Sequence, residues 1–185
     1  ALLIVFTQTS FSAETDDVEP VSVPLDKILE CMMSCIRVAL VNDILDQENN
    51  LMHVFSVSLS PGFPWTVKLS AFSAIKELCS RVSNWLDDSQ GTHLQGSIIS
   101  IVKVLFHSVS PKVLECIITV KIAQVHVAAS ECLLEIMKLY RRISEVHLID
   151  AGFEGELLHQ YEVETNEAAK SLLRKCINIF QNLED

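Results

Sequence analysis

Apolar residues recur along most of this chain at the spacing of an α-helix. Leu25, Ile28, Leu29, Met32, Ile36, Ala39 and Leu40 fall at offsets 0, 3, 4, 7, 11, 14 and 15, one stripe on a 3.6-residue period. Asn42 or Asp43 predicts its stop and the cap of a second helix over roughly 43–59, where Leu45, Met52, Phe55 and Leu59 share a face. Ser60-Pro61-Gly62-Phe63-Pro64 then breaks the chain, because two prolines and a glycine within five residues cannot continue a helix. A third helix is predicted over about 65–86, followed by a polar loop at Asp87-Asp88-Ser89-Gln90-Gly91. The fourth, about 93–108, is apolar nearly all round (Leu94, Ile98, Ile99, Ile101, Val102, Val104, Leu105, Phe106), as befits a helix sandwiched between neighbours. Ser110-Pro111 reads as an N-cap with proline at the first helical position, so a new helix is expected there. The apolar pattern then runs to residue 143, too long for one ordinary helix, and is split near 119–121. Residues 144–156, with Gly152 and Gly155, read as a loop. A last helix over about 164–183, capped by Thr165, carries Ala169, Leu172, Leu173, Cys176, Ile179, Phe180 and Leu183 on one stripe. No window alternates with period two, so six to eight helices with short links make an all-α chain.

The third helix also repeats. Val67, Ala71, Ala74, Ile75, Leu78, Val82 and Trp85 match Val125, Ala129, Cys132, Leu133, Ile136, Tyr140 and Ile143 at a constant offset of 58, and Glu77 coincides with Glu135. Helical period accounts for part of this. The small residues carry the rest, since Ala71 with Ala129 and Ala74 with Cys132 put small side chains where a neighbouring helix must approach closely. The offset exceeds the 40–47 residues of a regular HEAT or armadillo unit, which an irregular repeat or one extra helix would explain. Residues 64–78, with Val67-Lys68 as a valine-basic pair and Ala71 and Ala74 as spaced alanines, resemble the second helix of a HEAT repeat. In the later copy, Val125-His126, histidine stands where the basic residue belongs, and the usual aspartate before the helix is missing at residues 60–64. Three stretches, 25–42 (LDKILECMMSCIRVALVN), 58–80 and 113–139, resemble the far C-terminal part of the large HEAT-repeat proteasome adaptor family, in its plant form. That resemblance implies a HEAT/ARM-like α-solenoid of stacked antiparallel helix pairs, covering 25–185. It implies a protein-binding scaffold that docks on the 26S proteasome, in the cytoplasm and also the nucleus.

Charge narrows the partners. The net charge of −10 over 185 residues is uneven: residues 25–144 hold 11 acidic and 11 basic side chains. Residues 12–24 contribute −4 with Pro20 and Pro24 among them, an expected acidic linker, and residues 145–185 contribute −6. Such ends repel a phosphate backbone and an anionic membrane surface, so neither nucleic acid nor membrane is an expected partner. The opening Leu2-Leu3-Ile4-Val5 follows no basic residue and is too short to span a bilayer; it reads as the end of a preceding element. Six cysteines (Cys31, Cys35, Cys79, Cys116, Cys132, Cys176) all fall inside apolar helical patterns and are expected to be reduced, buried and structural.

Chemistry-bearing patterns are missing from the sequence. There is no H-E-x-x-H, C-x-x-C, glycine-rich phosphate loop or G-x-S-x-G, and the acidic pairs Asp87-Asp88 and Glu162 with Glu164 fall in polar stretches. The expectation is a chain with no catalytic residue, cofactor, metal or small-molecule substrate. The alternative is a self-contained helical bundle that binds a ligand or catalyses a reaction, which would need inward polar groups on facing helices. Two features are candidates for protein binding. Lys138, Arg141 and Arg142 cluster at the end of a helix, either complementing its dipole or docking an acidic partner. Phe63-Pro64-Trp65 in the inter-helix loop offers exposed aromatics, whereas Trp65 and Trp85 read by default as packing anchors.

Overall fold

The computed structural model describes residues 24–88, 95–143 and 151–181, and among them there is no strand. Helix α1 (Leu25–Val38) buries Ile28, Leu29, Met32 and Ile36, the predicted stripe. It ends early because Ala39 and Leu40 are extended (ψ 150° and 152°), so Leu40 is 71 % exposed and leaves the stripe. The predicted helix over 43–59 is divided at Gln47 into α2 (Val41–Asp46) and α3 (Glu48–Ser58). Helix α4 (Trp65–Asp88) runs two residues past expectation, so Asp87 and Asp88 are helical and not in a loop.

The largest departure lies around Pro111. Helix α5 (Gln95–Val104) passes through a π-turn (Leu105–Val109) straight into α6 (Ser110–Thr119). Ser110 is therefore no N-cap: its own backbone is helical (φ −56°, ψ −43°), and its N–H donates to the Leu105 carbonyl five residues back. Pro111 lacks an N–H, and its ring would strike the carbonyl four residues before it in a regular α-helix. A widened turn accommodates both, so the proline is absorbed and does not break the helix.

Helix α7 (Ala123–Ile143) starts after a break at 120–122, as the pattern predicted. Residues expected to form a loop are in part helix α8 (Ala151–Val163), despite Gly152 and Gly155. Each helical glycine costs about 1 kcal/mol, which the burial of Phe153 and Leu157, one turn apart, offsets at about 1.5–3 kcal/mol each. Helix α9 (Glu167–Phe180) is capped by Asn166, whose Oδ1 accepts the Ala169 N–H at 3.0 Å; Thr165 is exposed and is not the cap. The apolar start, the acidic linker up to residue 23 and Leu183 lie outside the described residues.

The helices lie in two rows. In the first, α1 packs on α4, α4 on α7, and α7 on α9. Cross-links fix their direction. Arg37 of α1 meets Glu77 of α4 at 2.9 Å, and Arg81 further along α4 donates to the Ala39 carbonyl at 2.8 Å. Lys76 of α4 meets Glu131 of α7 at 2.8 Å, and Asp87 and Ser83 further along meet Arg142. His126 near the start of α7 meets Glu164 just before α9, while Lys138 and Glu135 further along act electrostatically on Cys176. Numbering rises together on both partners each time, so the row is parallel.

The second row consists of the return segments: α3 packs against the π-turn, α2 against α5, and α6 against α8. The core fills the space between the rows, with Leu29, Phe55, Leu59, Phe72, Ile75, Leu78, Ile101, Leu105 and Leu114 fully buried. Of the residues matched at offset 58, all seven on α4 are buried, and so are the first five on α7. The matched helices are direct neighbours, separated in sequence by the continuous α5–π–α6 segment, which supplies the extra length.

Candidate binding surfaces

One turn of helix is 3.6 residues, so Lys138 and Arg142 share a face of α7. They border a groove of about 330 Å³ between α4 and α7, completed by Cys79, Ser80, Ser83, Asn84, Glu135 and Leu139. Lys138 pairs with Glu135 at 2.9 Å, and Arg142 bonds Asp87 and Ser83. All four charged side chains are at least 37 % exposed, so each pair contributes at most about 1 kcal/mol and can be exchanged for a partner's groups. Arg141, one residue earlier, points about 100° round the helix and is exposed but does not border the groove. The predicted basic cluster is thus divided. Arg141 and Arg142 do stand in the last turn of α7, where a cation complements the helix dipole.

The aromatic pair lies elsewhere. Trp65, the first residue of α4, is 40 % exposed, whereas Phe63 is half-buried against the core. Trp65 precedes Cys79, where the groove begins on the same helix, by 14 positions, so about 21 Å separates it from the groove. Trp85 is the packing anchor, with the Arg81 guanidinium 5.3 Å above its ring. Because α4, α7 and α9 run parallel, their starts share one edge of the stack. Exposed Ile118 at the end of α6 and Val163 at the end of α8 join Trp65 there. Ile118 lay inside the apolar pattern of 111–143 and Val163 just before the predicted last helix, and no signal in the sequence marked either as exposed.

Two polar positions were read in the sequence only as letters of the repeat motif, and their contacts escaped it. Lys68 is 2 % exposed, and its ammonium donates to the carbonyls of Leu59 (2.9 Å) and Ser60, the uncapped end of α3. Burial pushes its pKa down, while Cys116 and Glu115 act against that shift. His126 occupies the matching place on α7. Its Nε2 lies 2.6 Å from the Val120 carbonyl, at the end of α6, and its Nδ1 lies 2.8 Å from Glu164 Oε2. The residue after the matched valine therefore does the same work twice, tying each row helix to the end of the segment before it. The departure noted in sequence, histidine for a basic residue, is a change of donor with the task retained.

The cysteine expectation holds in part. All six thiols are free, and Cys79, Cys116, Cys132 and Cys176 are buried, but Cys31 and Cys35 are exposed on α1. Burial pushes the thiols of Cys79 and Cys176 up to about 12 and that of Cys116 up to about 11, and Cys132 is raised well above its ordinary value. These four are poor nucleophiles. Among the described residues, no three His, Cys, Asp or Glu side chains come together as a metal site, and no helix is long and apolar enough to cross a membrane. Comparison with known proteins returns no matching family model, no matching curated protein and no matching solved structure.

Proposed function

We propose that this chain is a non-catalytic, protein-binding scaffold segment built as a HEAT/ARM-like helical repeat. The observation that carries the reading is the parallel row α1–α4–α7–α9, in which Lys68 and His126 repeat one tethering role on neighbouring helices. A row of this kind buries its apolar faces between successive helices and leaves its exposed edges for partners. The resemblance of residues 25–42, 58–80 and 113–139 to the proteasome adaptor family names the partner: the 26S proteasome, in the cytoplasm and nucleus. The groove with Lys138 and Arg142 and the edge with Trp65 are the two surfaces on which docking is expected, with Arg141 beside the first.

The test is direct binding of the full chain to purified 26S proteasome, measured by interferometry. Lys138→Glu with Arg142→Glu should weaken binding about tenfold or more if the groove is used, and Trp65→Ala should do so if the edge is used. Absence of binding by the wild-type chain would remove the proteasome assignment, and binding unchanged in both variants would remove these surfaces.

A further inference from the structure

Helix α1 carries two of the six cysteines, and they are the two that reach solvent: Cys31 and Cys35 are free and exposed, while the other four are buried. Four residues make just over one turn of α-helix, so the two thiols stand on one face with Cβ atoms about 5–6 Å apart. A disulfide needs its Cβ atoms about 3.5–4.5 Å apart, so the intact helix keeps the pair from bridging. A metal ion between two thiolates has a longer reach. With each bond about 2.3 Å, the zinc–thiolate length, the sulfurs stand about 4.6 Å apart. The backbone beneath them is fixed: Ile28, Leu29, Met32 and Ile36 bury a different stripe, and Arg37 ties α1 to Glu77 of α4 at 2.9 Å.

The rest of that face supplies no further ligand. Lys27 stands one turn before Cys31, and Val38, 79 % exposed, one turn after Cys35. The Glu30 carboxylate is taken by the Lys27 ammonium at 2.9 Å, and the Ser34 hydroxyl donates to the Glu30 carbonyl at 3.0 Å. Met32 and Met33 lie about 100° and 160° round the helix from Cys31, and α1 contains no histidine. Among the described residues no three His, Cys, Asp or Glu side chains come together, so four protein ligands for zinc are not assembled here. A soft ion that two thiolates satisfy is copper(I). We propose that Cys31 and Cys35 form a two-coordinate site for copper(I), chelated within one turn of one chain. Each thiol passes its proton to solvent, the copper stays singly charged and no electron moves. The bound unit carries one negative charge, two thiolates against one cation. Lys27 stands beside it as counter-ion: Glu30 first, with Asp26 and Cys31 after it, favours that ammonium's charged form.

The experiment supplies copper(I), as its acetonitrile complex and without oxygen, to the reduced full chain in competition with a chromogenic copper(I) chelator. Native mass spectrometry should show one copper on a single chain, with two protons lost and one positive charge gained. X-ray absorption should show two sulfur neighbours. One equivalent should also slow thiol labelling of Cys31 and Cys35. Cys31→Ser and Cys35→Ser should each weaken binding about 100-fold or more, and the double variant, which keeps the four buried cysteines, should take up none. Cys35→Ser with Val38→Cys is the spacing control. It keeps two exposed thiols on one face but sets them about 10 Å apart along the axis, beyond the reach of one ion. It should bind no better than Cys35→Ser alone, and circular dichroism checks that each variant is folded. Wild-type affinity in the spacing control, one copper retained by the double variant, copper found only between two chains, or three or more ligands in the absorption spectrum would each overturn the proposal.

Discussion

Ala71 lies in the middle of the row, on α4, with none of its surface exposed. Changing it to leucine adds three carbons, and two opposing terms decide the outcome. If the neighbouring helices left room, burying three more carbons would stabilise by roughly 2.4 kcal/mol, at about 0.8 kcal/mol each. If they already touch the alanine, the side chain must leave its preferred rotamer or push a helix away, at about 1–3 kcal/mol. The small residues matched at offset 58 mark places of close approach, so the second term should win. Ala129 on α7 is equally buried and should behave alike. For a chain of this length each kcal/mol moves the midpoint by about 2–4 °C, so each variant should melt about 2–12 °C lower by circular dichroism. Ser73→Leu, at an exposed position on the same helix, is the control and should stay within about 0.5 kcal/mol of wild type. A midpoint unchanged or raised in Ala71→Leu would mean there is space at that contact, and the reading of the repeat from its small residues would fail.

Other expectations follow from single contacts. Lys68→Ala leaves the Leu59 and Ser60 carbonyls buried without their donor and should cost about 1–3 kcal/mol in urea unfolding, more than loss of an exposed lysine such as Lys103. Asn166→Ala removes the cap of α9 and should cost about 1 kcal/mol, while Thr165→Ala should be nearly neutral; equal effects of the two on thermal melting would contradict the assignment. Titration with a thiol reagent under native conditions should modify Cys31 and Cys35 quickly and the other four only after denaturant is added. Rapid labelling of more than two would show that the core opens readily.

Periodicity made the long helices legible. Helices α1, α4, α7 and α9 each bury most of the described residues that recur at helical spacing. What failed was punctuation. Proline at 111 and glycine at 152 and 155 are local signals to stop, and in both places packing overrode them: by a π-turn in one, by Phe153 and Leu157 in the other. The basic residues were visible as letters, but their pairing was not. Arg142 reaches residues 55 and 59 positions away, and His126 reaches Glu164 across 38, distances no window of sequence spans. Lys68 had been read only as half of a motif, although its role in capping α3 is what makes a base useful there.

The widened turn at Leu105–Val109 has a geometric consequence for its helix. It amounts to one inserted residue, which rotates everything after it by about 100° relative to an uninterrupted helix. Before it, α5 faces α2, α4 and α7; after it, α6 faces α7 and α8. A single rod can thereby change the neighbours it serves midway along its length without a loop, and excising one residue there would turn the hydrophobic side of α6 away from the partners it now holds.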